Sequence, residues 1–166
     1  MFAIFAGQNS KGNFQKTVYR ILSQKIPLSH ISKGKINTNG KITAIFELSP
    51  ESITCQKDDI VILNGCPYDA HINGEKYLIF NSSNKADIEI SKNSCGEIIT
   101  CGMSIRDTVT FSSFAEETCV FNLQRQITRL NGEKVQPFEL PVICKKSDDR
   151  YALLVSYLIL IILGYI

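Results

Sequence analysis

The sequence of 166 residues has no strong excess of either charge. Eighteen Lys plus Arg against sixteen Asp plus Glu leave a net +2, and the basic residues form no stripe that could track a phosphate backbone. Nucleic acid is therefore excluded as the expected partner. Histidine is scarce: His30 and His71 stand 41 positions apart, fit no metal or nucleophile pattern, and are expected on solvated loops. No C-x-x-C pair occurs among the six cysteines, whose intervening stretches of 10, 28, 5, 17 and 24 residues match no common zinc spacing. The opening Met1 to Ala6 lacks a basic n-region and is too short for an h-region. A cytoplasmic chain with reduced, buried or incidental thiols is expected. No repeat, low-complexity tract or polar linker interrupts residues 1–166, which read as a single domain.

What is present is ordinary globular composition, with 44% apolar, 20% charged and 9% aromatic residues. A chain of this length buries about two-thirds of its unfolded surface and needs neither disulfide nor metal to fold. Phe2 to Ala6 reads as a short buried strand, Gly7 to Gly12 as a glycine-bearing turn, and Phe14 to Gln24 as a helix with Phe14, Val18, Ile21 and Leu22 on one face. These make a βα unit. Residues 26–41, with Pro27, Gly34 and Gly40, read as loop. Ile42 to Leu48, Ile60 to Asn64, Tyr77 to Asn81 and Glu97 to Cys101 read as strands; Pro50 to Gln56 has room for one helical turn and Asn84 to Ser91 for a short connector.

From about residue 103 the pattern changes to successive antiparallel strands, Thr108 to Ser112, Thr118 to Ile127 and Val135 to Val142, with Asn131-Gly132 as a hairpin signal between the last two. The chain thus divides into a βα part (1–102), a mostly antiparallel part (103–145) and an apolar C-terminal helix (148–166). The last sixteen residues, Tyr151 to Ile166, carry no charge. As a helix they extend about 24 Å at ~1.5 Å per residue, short of a hydrocarbon core of about 30 Å. A helix packed against the sheet, capped by Ser147, Asp148 or Asp149, is the preferred reading, with a tail anchor as the alternative.

The segment Gly7-Gln8-Asn9-Ser10-Lys11-Gly12 satisfies the first half of the phosphate-loop pattern G-x-x-x-x-G-K-[ST], after a strand and before a helix, where backbone N–H groups and the helix dipole favour an anion. Asn13 and Phe14 stand where the lysine and the magnesium-binding hydroxyl belong. Lys11 lies inside the loop, and Lys16-Thr17 brings the right residue types three positions late, rotated by about 300° on the helix. An ordinary βα turn without ligand therefore competes with a nucleotide site formed by Gly7, Asn9, Lys11 and Gly12. Glu47 falls at the carboxyl end of an expected strand, the edge where ligands collect in open α/β sheets. Asp58-Asp59 read as a solvated turn, and Arg125 and Arg129 as the outward face of a strand with no assigned function.

The stretch Ile98-Ile99-Thr100-Cys101-Gly102, followed by Thr108 to Ser113, Phe121 to Arg125 and Gln136 to Glu139, resembles the later part of the Mur ligase central domain, in particular that of short bacterial Mur-ligase-like proteins. Asp148-Asp149-Arg150-Tyr151-Ala152 resembles the start of the helix that follows those strands. The glycine turn stands where these ligases have their ATP-binding loop. Phe46-Glu47-Leu48-Ser49 is similar to the segment whose glutamate binds magnesium, and Ile60 to Asn64 to the strand before a histidine-containing loop. Here Gly65-Cys66-Pro67-Tyr68-Asp69 follows, without that histidine.

The resemblance implies a reduced, three-layer, P-loop-like α/β fold with an antiparallel hairpin extension and a buried C-terminal helix. It implies ATP and Mg as the cofactors to test, Glu47 as the metal ligand, and a setting in peptidoglycan biosynthesis. Mur ligases use three domains, whereas this sequence is expected to hold the central one alone, without the loop lysine and hydroxyl. A non-catalytic binding or regulatory module is the leading expectation, with no catalytic residue assigned and with a protein partner or a second copy as its associate. An ATP-dependent amide-bond ligase that retains nucleotide binding is the alternative.

Overall fold

A computed structural model describes residues 1–32, 35–37, 42–115 and 117–166. Five short apolar runs become parallel strands; the central three are buried on both faces, as strands covered by two layers must be, and the outer two mainly on one. The five are β1 (Phe2–Ala6), β4 (Ile42–Glu47), β6 (Ile60–Leu63), β8 (Tyr77–Asn81) and β9 (Glu97–Cys101). With β2 (Leu28–Ser32), β3 (Lys35–Asn37), β10 (Val109–Phe114), β11 (Thr118–Leu123) and β14 (Phe138–Ile143) they form one ten-stranded sheet, ordered β14-β11-β10-β9-β8-β6-β1-β4-β2-β3. Pairing is parallel from β2 through β10 and antiparallel at β2–β3, β10–β11 and β11–β14.

Side chains alternate across the sheet. Ala3, Phe5, Ile60, Ile62, Tyr77 and Ile79 face a core shared with α1 (Asn13–Ser23) and α3 (Arg150–Ile162), whereas Ile4, Val61, Leu63, Leu78 and Phe80 face the opposite layer. That layer holds α2 (Lys85–Ser91) and a two-stranded parallel ribbon, β5 (Ser52–Thr54) with β7 (His71–Asn73), whose Ile53 and Ile72 point inward. The arrangement is a three-layer α/β fold, as the sequence led us to expect.

Eleven of the thirteen residues of α3 are buried, and Asp149 caps it by accepting the Ala152 N–H at 2.8 Å. The expected buried helix is thus present, and among the described residues no helix is long and apolar enough to cross a membrane. Phe14 of α1 packs on Phe5 and on Tyr151, and the Tyr151 hydroxyl donates to the Leu63 carbonyl at 2.8 Å, pinning the start of α3 to the end of β6.

Several local readings are corrected. Residues 28–32 and 35–37 are strands, not loop; Gly34 and Gly40 lie outside the described residues. The expected turn of helix within 50–56 is β5, since Ile53 has an apolar ribbon partner in Ile72. Asn131-Gly132 does turn a hairpin, but it joins β12 (Ile127–Thr128) to β13 (Lys134–Val135), a small ribbon apart from the main sheet, while β11 pairs directly with β14. His30 sits half-buried on β2, edge-on to Phe46, and its Nε2 accepts from the Gln15 amide Nε2–H at 2.8 Å; exposed His71 begins β7. Asp59 is buried rather than solvated, its carboxylate accepting the Phe2 and Gln56 N–H groups, both at 2.8 Å.

Arg129 is not an idle outward side chain either. It donates to the carbonyls of Ile161 at 3.1 Å and Ile166 at 2.6 Å and pairs with Glu133, while the Leu130 N–H donates to the Ile162 carbonyl. A cation therefore sits at the negative end of the α3 dipole, while the Leu130 N–H takes the carbonyl of the last helical residue, Ile162. Arg129→Ala is expected to lower stability by about 1–3 kcal/mol, read as a shift in the chemical-denaturation midpoint. Arg125→Ala, with no such partner among the described residues, is the control and should change it little.

Candidate functional site

Chain direction brings the carboxyl ends of β1, β4, β6 and β8 to one edge, with the reversal of strand order at β1, where open α/β sheets gather ligands. The glycine turn leaves β1 there and opens α1. Gly7 has φ 117°, and a Cβ on it would lie 2.5 Å from the Asn64 carbonyl oxygen, so only glycine lets the turn press against the end of β6. Gly12 precedes α1 at φ 63° and ψ −123°, with open space where a Cβ would be.

The turn spends most of its N–H groups inside the fold. Gly7 donates to the Glu47 carbonyl at 2.9 Å, Gln8 to Gly65 at 3.1 Å, Asn9 to Asn64 at 3.0 Å and Ser10 to Gly7 at 3.0 Å. Only the amides of Lys11, Gly12 and Asn13, at the mouth of α1, are left without an acceptor among the described residues. The Gly7 N–H on Glu47 and the Asn9 N–H on Asn64 thus hold the turn against the ends of two neighbouring strands. Lys11 and Gly12 are exposed on the outer side of the turn, and neither lines the cleft at the strand ends. The exposed Glu47 carboxylate turns back on its own strand end and accepts the Leu48 and Ser49 N–H groups at 2.9 and 3.3 Å. No cluster of three or more metal-ligating side chains occurs among the described residues.

The cleft itself has a volume of about 600 Å³. Its floor carries four carboxamides, Asn9, Asn13, Asn64 and Asn81, and its far wall is the turn that leads into α3, with Lys146 and Arg150. Arg150 also lies over the Phe114 ring at 4.4 Å, which fixes the guanidinium. Such a surface offers donors and acceptors to a polar ligand rather than a cage of N–H groups to a triphosphate. Sequence reading missed Asn13, Asn81, Lys146 and Arg150 because they come from separate elements; the charged run just before the apolar helix was the one local signal available.

Behind the turn, α2 supplies a support. Its N-cap Asn84 accepts the Ala86 N–H at 3.0 Å, and fully buried Asp87 accepts the N–H groups of Gly65 at 3.1 Å and Cys66 at 3.0 Å. Burial pushes the Asp87 carboxyl above its ordinary range, and the two amide bonds offset this only in part. Burial, reinforced by Asp87 and Asp69, likewise pushes the Cys66 thiol up to about 12, so it is inert at neutral pH.

Gly7→Ala should cost about 2–5 kcal/mol, since the backbone strain is joined by a clash with Asn64, whereas Gly12→Ala should cost about 1–3 kcal/mol from strain alone; equilibrium unfolding of both orders them. For Asp87 the sign follows from linkage. A carboxyl raised in the fold binds its proton more tightly there than when unfolded, so its contribution is greatest below the ordinary carboxylate range and is lost as pH rises through the folded value. The stability difference between wild type and Asp87→Asn should therefore move in favour of the variant from about pH 3 to neutrality, measured by denaturation across that window.

No protein-family model and no curated protein matches this sequence. Solved structures do. A crystal structure of MurF from Acinetobacter baumannii superposes with a TM-score of 0.62 at 11% identity, over 98% of this chain and 43% of that one. A second structure from the same organism, of UDP-N-acetylmuramoylalanyl-D-glutamyl-2,6-diaminopimelate--D-alanyl-D-alanyl ligase, gives 0.61 at 11% identity over 98% and 43%. A UDP-N-acetylmuramoyl-L-alanyl-D-glutamate--2,6-diaminopimelate ligase gives 0.51 at 10% identity over 84% and 38%. The chain thus spans about two-fifths of the length of the proteins it matches, and the fold it shares with them is the Mur ligase fold that the sequence resemblance pointed to.

Proposed function

We propose that this chain is a Mur-ligase-like binding module, associated with peptidoglycan-precursor synthesis, in which phosphoryl transfer has been lost. The observation that carries the reading is the fate of the glycine turn: the N–H groups of Gly7, Gln8, Asn9 and Ser10 are all committed to internal acceptors. Phosphoryl transfer depends almost wholly on positioning and charge neutralisation. With no lysine or hydroxyl directly after Gly12, a Glu47 carboxylate already bound by its own strand end, and Lys11 outside the lining of the cleft, neither function has its usual residue in place. The module acts through a protein partner or a second copy, and the asparagine-lined cleft is its ligand site.

A second reading rests on the three unpaired amides of Lys11, Gly12 and Asn13, which with the Lys11 ammonium could hold a nucleotide phosphate while Glu47 releases its amides for magnesium. Isothermal titration of the chain with ATP, with and without magnesium in phosphate-free buffer, separates the two. The module reading expects no magnesium-dependent heat. Micromolar magnesium-dependent binding that disappears in Lys11→Ala or Glu47→Gln would establish the second reading and remove the first.

A further inference from the structure

A smaller pocket of about 140 Å³ adjoins the cleft, between the second turn of α1 and the turn that precedes α3. Lys16, Thr17 and Arg20 form one wall, and Lys145, Ser147 and Asp148 the other. Three cations face one carboxylate, and that carboxylate is occupied: Asp148 binds the Arg20 guanidinium and accepts the Lys145 N–H at 2.7 Å. Lys16 and Lys145 have no acidic partner among the described residues, and the Arg20 Nε–H is buried there without an acceptor. Thr17 Oγ1 is used too, accepting the Asp149 N–H at 3.1 Å, which holds the far wall in place.

In a chain whose total charge is only +2, two uncompensated cations beside an orphaned guanidinium N–H form a local excess that an anion would relieve. A water occupies about 30 Å³ of liquid, so the pocket has room for about four or five oxygens, the size of a tetrahedral oxyanion. The pocket and the cleft share Asn13, Ser147 and Asp148 and are therefore neighbours. We propose that the small pocket binds the terminal phosphoryl group of a small phosphomonoester, whose hydroxyl-bearing remainder lies along the carboxamides of the cleft. Lys16 and Lys145 are the groups that meet the phosphate, with Arg20 held beside them by Asp148. Neither Lys11 nor the glycine turn takes part, so the inference goes beyond the reading given for that turn and can fail independently of it.

Titration of the full chain with inorganic phosphate and with glycerol 3-phosphate, followed by calorimetry, tests this. The expected result is saturable binding of both, tighter for the ester, weakened about tenfold or more in the Lys16→Gln/Lys145→Gln double variant and unchanged in Lys11→Gln. Both lysines are exposed, and matching unfolding midpoints would show that the variants remain folded. Absence of saturable binding, or equal binding by the double variant, overturns the site. Ester binding no tighter than that of free phosphate overturns the part assigned to the cleft. Loss of binding in Lys11→Gln also overturns the proposal, because it moves the phosphate to the glycine turn.

Discussion

The close approach of two backbones, Gly7 at the end of β1 and Asn64 at the end of β6, is the constraint on which this edge of the molecule depends. With no side chain between them, the turn folds over the end of the neighbouring strand and its N–H groups find carbonyls at Glu47, Gly65 and Asn64. The same contact fixes Asn9 beside Gly65, where a Cβ on Gly65 would meet the Asn9 carboxamide at 2.7 Å. Asp87 then holds Gly65 and Cys66 from behind. A buried carboxylate that accepts two amides is costly to desolvate but costlier to lose, since both donors would be left unpaired. Geometry at the strand ends is thus set by main-chain bonds and one buried acid.

That arrangement separates two properties that a phosphate loop normally combines. A strand, a glycine turn and a helix are sufficient to build the local fold; the chemistry needs, in addition, free N–H groups and a cation at a defined position. Here the first set is complete and the second is mostly absent. The cations of this edge come instead from Lys145, Lys146 and Arg150 before α3, and from Lys16 and Arg20 on α1. Positive charge has moved from the turn to the facing wall, so the molecular surface that greets a ligand differs from a phosphate loop although the backbone path is similar.

Elements with strong local patterns were legible in the sequence. β1, β6 and β8 are short runs of apolar residues with both faces buried, α1 has an apolar face at helical spacing, and Asp149 before a long apolar run marked the start of α3. β2 was hidden by its polar residues and by Pro27 and Gly34 nearby; it exists because β4 offers a parallel edge, a tertiary reason that no local window contains. β5 likewise depends on β7, nineteen positions away at Ile53 and Ile72. At the site, Gly7 and Glu47 were legible because each ends an apolar strand. Lys145 and Arg20 were not, since their meeting across 125 positions is decided by the packing of α3 against α1.

The sheet also carries an uneven cover. One face is closed by α1 and α3 along most of its width, while α2 and the β5–β7 ribbon cover the other mainly over β1, β6 and β8, with Ile45 of β4 at the margin. Beyond them, Ile98 on β9 and Ile143 on β14 stand exposed at 46% and 72%. β14 forms the open edge of the sheet on that side, and its Pro141 is paired with Val120 of β11. Because the Cys144 N–H donates to Glu117, alternate residues of β14 point toward β11, and Pro141 falls among those that point away. A missing donor at the centre of the free edge prevents another strand from extending the sheet there. Pairing of a further strand along the centre of β14 is therefore disfavoured by the chain's own sequence at that edge.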